Sequence, residues 1–128
     1  MPTVDSVILK HVVPALREDI GAFAVACLSE ALEVKRHAVR ARDGGSAPVF
    51  ILSPALPREM PEIVRHGFIP AISRVDEVRR FAALSAGKGT AVHVVVDTGM
   101  GRMGALPGDA AAVLRESARP CEADSSTR

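Results

Sequence analysis

The stretch Val92-His93-Val94-Val95-Val96-Asp97-Thr98-Gly99-Met100-Gly101-Arg102-Met103-Gly104 decides the fold class. It opens with an apolar run interrupted only by His93, and such runs are typical of strands buried on both faces of a parallel sheet. A loop containing three glycines comes directly after it. A buried strand that leads into a glycine-rich loop indicates a βα unit, so we predict an α/β fold.

The three glycines also have the spacing of the G-x-G-x-x-G dinucleotide-binding fingerprint. That fingerprint opens its helix at the third glycine, whereas residues 105–108 intervene here before Asp109 could cap a helix. Residues 105–128 also lack the second strand, with an acidic residue at its end, that the fingerprint requires. We therefore do not favour dinucleotide binding as the function of this loop.

Three similar apolar runs precede this one, at residues 22–27, 49–53 and 68–72, and residues 91–96 form the fourth predicted strand. Pro70 weakens the third strand, because proline cannot donate a hydrogen bond to a neighbouring strand.

Amphipathic stretches at helical spacing alternate with the strands. The predicted helices cover residues 30–39, 58–65, a segment from Ser73 that ends at Gly87 and Gly89, and residues 109–119. We expect Ser29 to cap the first of these helices, which the polar cluster at residues 42–46 ends, and Ser73 with Asp76 to form a capping box. The inward face of that third helix is predicted to carry Val75, Val78 and Ala82.

The first twenty residues fit two structures. Val4, Ile8, Val12, Leu16 and Ile20 lie at helical spacing, whereas residues 7–13 also fit a strand. We favour a helix that kinks near Pro14.

Four parallel strands, each followed by a helix, are half of the eight strand–helix units of a (β/α)₈ barrel. A (β/α)₈ barrel takes roughly 250 residues, so a chain of 128 has room for about half of one. A small open α/β sheet is the alternative, and the pattern alone leaves both open. Residues 120–128 are polar, and we predict a folded domain over residues 1–119 and a disordered tail after it.

Composition excludes several classes of partner. The chain carries 16 Lys and Arg against 15 Asp and Glu, a net charge of +1, without a block of like charges that would attract nucleic acid or an anionic membrane. The apolar runs are too short to span a bilayer and the first residues lack the basic start of a secretory signal, so we expect a soluble cytoplasmic protein. Cys27 and Cys121 are expected to be free thiols, and the chain contains no tyrosine.

Four histidines recur about one βα unit apart, which raises the possibility of a metal site; they are His11, His37, His66 and His93. Two fall near helix ends and one lies within a strand, so they do not converge on one edge of the sheet. We predict no metal site.

Two segments carry a family resemblance. Residues 23–31, Phe-Ala-Val-Ala-Cys-Leu-Ser-Glu-Ala, and residues 92–104 resemble, in this order and at a similar separation, the F-A-V-A-x-x-x-E-A and V-H-x-K-V-D-T-G-M-G-R-x-G segments of alanine racemase. The resemblance extends over roughly residues 12–116. It implies part of an N-terminal barrel domain.

What the resemblance implies is a pyridoxal-phosphate enzyme, usually a homodimer, that interconverts L- and D-alanine with a lysine and a tyrosine as its two bases. Arg102 matches the arginine that orients the carboxylate of the amino acid substrate. The family's cofactor-lysine segment has no counterpart here, Val95 stands where the family has a modified lysine, and a chain without tyrosine cannot supply the second base.

Lys10 is our candidate for a replacement cofactor lysine, because burial in an apolar run would activate its amine. The alternative is a surface lysine on the first helix. We predict a truncated alanine racemase-like chain that is inactive in isolation, with a non-catalytic half barrel that binds pyridoxal phosphate or a protein as the alternative. Its open sheet edges are expected to support homo-oligomers.

Overall fold

A computed structural model describes residues 4–16, 19–37 and 47–119, with side chains from Leu9 onward. Four strands and five helices alternate along these residues. The helices are α1 (Val4–Leu16), α2 (Leu28–Arg36), α3 (Met60–His66), α4 (Val75–Leu84) and α5 (Pro107–Ser117). The strands are β1 (Phe23–Val25), β2 (Val49–Pro54), β3 (Ile69–Ile72) and β4 (His93–Val94).

The strands form one parallel sheet in the order β1-β2-β3-β4, which confirms the predicted α/β architecture of four parallel strands. Because all four strands run in one direction, their carboxyl ends lie along one edge of the sheet, here called the carboxyl edge. Pro70 is buried within β3, where it pairs in register with Ile51, so the proline is accommodated inside the sheet. The ladder between β2 and β3 is irregular between Ile51 and Pro54.

The helices pack on one face of this sheet. α2 contacts β1 and β2, α5 contacts β4, and neighbouring helices contact one another. The largest fully buried side chains between these layers include Val13, Val34, Ile63, Ile72, Phe81 and Val113. Alternate strand residues point to the other face. There Ala24 and Leu52 are exposed and Phe50 is half-buried, so this face is uncovered in the described part of the chain.

The first segment is a helix, as favoured from its spacing, with Pro14 inside its last turn. It ends at Leu16, so Ile20, the last residue of the predicted stripe, is not helical. The predicted caps were wrong. Cys27, not Ser29, is the N-cap of α2, and Arg74 is the N-cap of α4. Ser73 donates instead to Glu77 Oε1, at 3.3 Å.

The inward face of α4 also differs from the prediction. Val78 and Phe81 are buried, whereas Ala82 is exposed. The apolar stripe is therefore rotated around the helix relative to the predicted one.

Several predictions fall outside the described residues: the end of the second predicted helix at residues 38–39, the polar cluster at 42–46, Cys121, and the tail at 120–128. No described helix has the length and apolar character required to cross a membrane.

Candidate active-site loop

The loop Asp97–Gly104 leaves the carboxyl edge after β4 and returns to its starting point. The Val95 N–H donates to Ile72 O at 2.9 Å and so continues the ladder one residue beyond β4. Ala105 then donates to Val95 O, and the Asp97 N–H donates to Ala105 O, both at 2.8 Å. These bonds pinch the two ends of the loop together.

Asp97 organises the interior of this loop. Its Oδ1 accepts the backbone N–H of Gly99 at 3.0 Å and that of Gly101 at 3.1 Å. Bonds from N–H groups to a carboxylate stabilise its charged form. These two bonds are the main cause that holds the pKa of Asp97 below its ordinary value.

The three glycines meet conformational requirements of the loop. Gly99, Gly101 and Gly104 all have positive φ, at 141°, 68° and 113°, which side chains disfavour. The helix α5 begins only at Pro107, after the loop has closed on its own strand. A dinucleotide fingerprint would instead lead directly into the helix N-terminus.

Arg102 lies at the tip of the loop with an exposed side chain. Asp97 uses Oδ1 for backbone N–H groups, and the ion pairs found among the described residues do not include Arg102. The guanidinium is thus presented to solvent beside the carboxyl edge, where its five N–H donors can meet a ligand carboxylate.

The three lysines lie on elements other than the strand end that carries the loop. Lys10 is exposed on α1, which packs against α2 at the β1 end of the sheet, far along the sheet order from Arg102 beyond β4. This placement favours the surface alternative for Lys10 and does not bring the two predicted site residues together.

The other two lysines are no better placed. Lys35 Nζ lies 3.0 Å from His66 Nδ1, in a contact between α2 and α3. Lys88 precedes β4 and therefore lies before the strand and not at its carboxyl edge. Val95, at that edge, has no amine. The residues described at this edge do not fit a covalently held pyridoxal phosphate, which requires a lysine amine.

His93 in β4 and Glu77 in the first turn of α4 are two further groups with shifted pKa values. The His93 ring stacks on Phe50, with centroids 5.4 Å apart, and burial lowers the pKa of His93. Burial raises the pKa of Glu77, whose Oε2 is buried without a hydrogen-bond partner in the described structure. Sequence reasoning missed the burial of Glu77, and it missed the role of Asp97 although the Asp-x-Gly-x-Gly spacing signals an Asx-type turn.

The four histidines do not converge. His11 lies on α1, His37 at the end of α2, His66 at the end of α3 and His93 in β4. Among the described residues, no three His, Cys, Asp or Glu side chains are grouped so that they could hold a metal ion.

Comparisons with known proteins agree with this geometry. A family model described as alanine racemase, N-terminal domain, matches residues 6–125. The chain is 32% identical over 106 residues to an alanine racemase of Treponema pallidum subsp. pallidum, covering 79% of this chain and 26% of that protein. It is 39% identical over 97 residues to one of Syntrophobacter fumaroxidans, covering 72% of this chain and 24% of that protein.

The fold matches as well. The structure of alanine racemase from Clostridium difficile 630 in complex with cycloserine superposes with a TM-score of 0.73 at 19% identity, over 88% of this chain and 31% of that one. The chain spans about a quarter of the length of the curated relatives it matches. On its sequence and its sheet, this chain belongs to the alanine racemase N-terminal domain family.

Proposed function

We propose that the chain contributes the substrate-carboxylate arginine of an alanine racemase-type site and does not interconvert L- and D-alanine by itself. The observation that carries the proposal is the combination at the carboxyl edge of an exposed Arg102 with Val95 in place of a lysine. The ligand class is a small amino acid, recognised through its carboxylate.

Arg102 has the chemistry that this role needs. A guanidinium donates two parallel N–H bonds to a carboxylate, which fixes the direction of the ligand as well as attracting its charge. The exposed side chain and the closed loop beneath it support such binding. Exposure to solvent limits the affinity, because salt and water screen the charge.

The same residues support the absence of racemisation. Moving a proton from one face of an α-carbon to the other takes a base on each face. Pyridoxal phosphate, when bound, supplies the electron sink that stabilises the resulting carbanion. The chain has no tyrosine, and its three lysines are Lys10, Lys35 and Lys88. Their positions do not support a covalent link to the cofactor near Arg102.

A second candidate function rests on the open edges and the uncovered face of the sheet. β1 and β4 are edge strands of a four-stranded sheet, and their unpaired backbone groups can accept another strand. This favours a non-catalytic half barrel that binds a protein surface, with a second copy of this chain as the simplest partner. Such a module could also hold pyridoxal phosphate without a covalent bond.

Incubation with pyridoxal phosphate, followed by borohydride reduction and peptide mass analysis, tests the proposal. We expect no stoichiometric adduct on Lys10, and no D-alanine formed from L-alanine by chiral chromatography. Lys10→Arg is the diagnostic variant and Lys88→Arg its matched control. A stoichiometric adduct that Lys10→Arg abolishes and Lys88→Arg leaves intact, together with D-alanine formation, would overturn the proposal. Cofactor retained without an adduct would favour the second candidate.

A further inference from the structure

We propose that Asp97 is the positioning residue for Arg102: its carboxylate holds the tip of the Asp97–Gly104 loop and thereby sets the direction in which the guanidinium leaves the carboxyl edge. The inference rests on the proposed role of Arg102 in carboxylate binding. It adds a residue that touches no ligand and acts through the loop.

The base of the loop is fixed without the Asp97 side chain. The bonds from the Ala105 N–H to Val95 O and from the Asp97 N–H to Ala105 O are backbone bonds, and both are 2.8 Å long. They close the loop ends but do not reach its tip at residues 98–103. A further contact is therefore needed to order the tip.

The Asp97 side chain supplies that contact. Oδ1 accepts N–H bonds from Gly99 and Gly101, two and four residues along the chain. Gly101 is joined covalently to Arg102, so a bond on the Gly101 N–H restricts where the Arg102 backbone can go. Hydrogen bonds to an ionised acceptor are stronger than neutral ones. The lowered pKa of Asp97 keeps that acceptor ionised at neutral pH.

The arrangement also leaves the arginine charge available. Asp97 Oδ1 already accepts two backbone donors, and the described ion pairs contain no Asp97–Arg102 bridge. A direct bridge would neutralise the guanidinium and compete with a ligand carboxylate. The carboxylate instead orders the backbone while Arg102 faces outward.

Two substitutions separate the place of the oxygen from its charge. Asp97→Asn keeps an Oδ1 acceptor in position but removes the charge, whereas Asp97→Glu keeps the charge and moves the oxygen by one methylene. Asp97→Ala removes both. Asp109→Asn is the matched control, because Asp109 is an exposed acid in the first turn of α5, outside the loop.

The ¹⁵N-labelled chain gives two readouts: the heteronuclear NOE of the Gly99, Gly101 and Arg102 amides, and the Arg102 Nε–Hε shift during titration with sodium propionate. In Asp97→Ala and Asp97→Glu we expect the three NOEs to fall and propionate binding to weaken about tenfold. In Asp97→Asn the NOEs are retained and binding stays within about threefold, and Asp109→Asn changes neither. Unchanged amide shifts for Ile72 and Val113 report that the fold is intact.

Full loop order in both Asp97→Ala and Asp97→Glu would overturn the inference. If Asp97→Ala does not fold, the comparison of Glu with Asn decides the question by the same criterion. Loop order that changes as expected across the variants, together with a wild-type chain that binds no propionate, would support the positioning role of Asp97. The same result would contradict the proposed carboxylate role of Arg102.

Discussion

A Cβ atom placed on Gly104 would lie 2.8 Å from the backbone nitrogen of Asp97, closer than real Cβ contacts. That nitrogen donates to Ala105 O, so it cannot move without opening the loop. Gly104 also has a φ of +113°, a conformation that L side chains rarely adopt. The loop that presents Arg102 therefore depends on glycine at this position for both space and backbone geometry.

Gly104→Ala should destabilise the chain by about 2–3 kcal/mol, since it combines steric overlap with backbone strain. Gly101→Ala is the matched comparison. Gly101 also has positive φ, at +68°, but nothing lies within 4 Å of its Cβ position, so we expect a cost of about 1 kcal/mol from strain alone. Urea denaturation at low protein concentration measures both. Equal costs for the two variants would show that the close approach at Gly104 does not matter.

Glu77→Gln should raise the melting temperature at pH 7.5 by a few degrees, on the order of 3 °C. Burial raises the pKa of Glu77 above its ordinary 4.5, so the folded chain binds this proton more readily than the unfolded chain. The stabilisation from protonated Glu77 is present below pH 4.5 and is lost as the pH rises through the higher folded pKa. The advantage of the Gln variant should therefore shrink as the pH falls.

Thermal melts of the two proteins between pH 7.5 and pH 4.5 measure this change. Asp109→Asn is the control, because it removes an exposed first-turn acid from α5. If Glu77→Gln lowers the melting temperature at pH 7.5, the charge on Glu77 stabilises the fold through contacts other than its bond from Ser73.

His93→Phe should remove an acid sensitivity of the fold. Burial lowers the pKa of His93 below 6.5, so below pH 6.5 the unfolded chain takes up a proton that the folded chain resists. Wild-type stability should then fall relative to His93→Phe between pH 7.5 and pH 5.5. Phenylalanine keeps an aromatic ring against Phe50, whose centroid lies 5.4 Å from that of His93.

Urea midpoints at pH 7.5, 6.5 and 5.5 compare the two chains. His11→Phe serves as control, because the His11 side chain is exposed on α1. A constant difference between wild type and His93→Phe across this pH range would contradict the linkage.

The strand positions could be predicted from the sequence because continuous apolar runs report burial between two layers. The length of each strand could not be predicted in this way. The run at residues 91–96 is apolar throughout, except for His93, but β4 contains only His93 and Val94. Its partner β3 ends at Ile72, which accepts the last ladder bond from Val95. Pairing length is set by the neighbouring strand, and a single run does not encode it.

Helix existence was predictable and helix detail was not. On α4, Val78 and Phe81 are buried and Ala82 is exposed, a rotation of the stripe that also brings Glu77 toward the core. The predicted stripe and the observed one share Val75 and Val78 and differ only in Phe81 taking the place of Ala82, a shift of one residue that sequence spacing cannot distinguish. The predicted cap residues were wrong for a related reason, since the position of a cap depends on the backbone angles of a single residue.

The candidate site was partly predictable. The place of Arg102 after the fourth strand could be read from the motif, because parallel strands end at one edge. The role of Asp97 in the loop depends on which backbone N–H groups its Oδ1 accepts. That depends in turn on the backbone bonds at Ala105 that close the loop, which the sequence does not reveal. The exposure of Lys10 on α1 depended on choosing helix over strand for a segment that fits both.

We expect copies of the chain to associate through the open sheet. Leu52, in the interior strand β2, lies on the uncovered face and is 50% exposed, and Leu114 is 53% exposed on α5. We expect sedimentation velocity to show oligomers of the wild-type chain that grow with concentration. Leu52→Lys should shift the chain toward monomer, because a charge on this face resists burial against another sheet.

Leu114→Lys is the matched control, with the same substitution at nearly the same exposure on the helical side. It should leave the association unchanged, since the helices already cover that side of the sheet. A chain that stays monomeric at every concentration and melts reversibly would contradict the prediction, as would equal effects of the two substitutions. The first result would mean that the uncovered face is stable in water, and the second that association uses the helices.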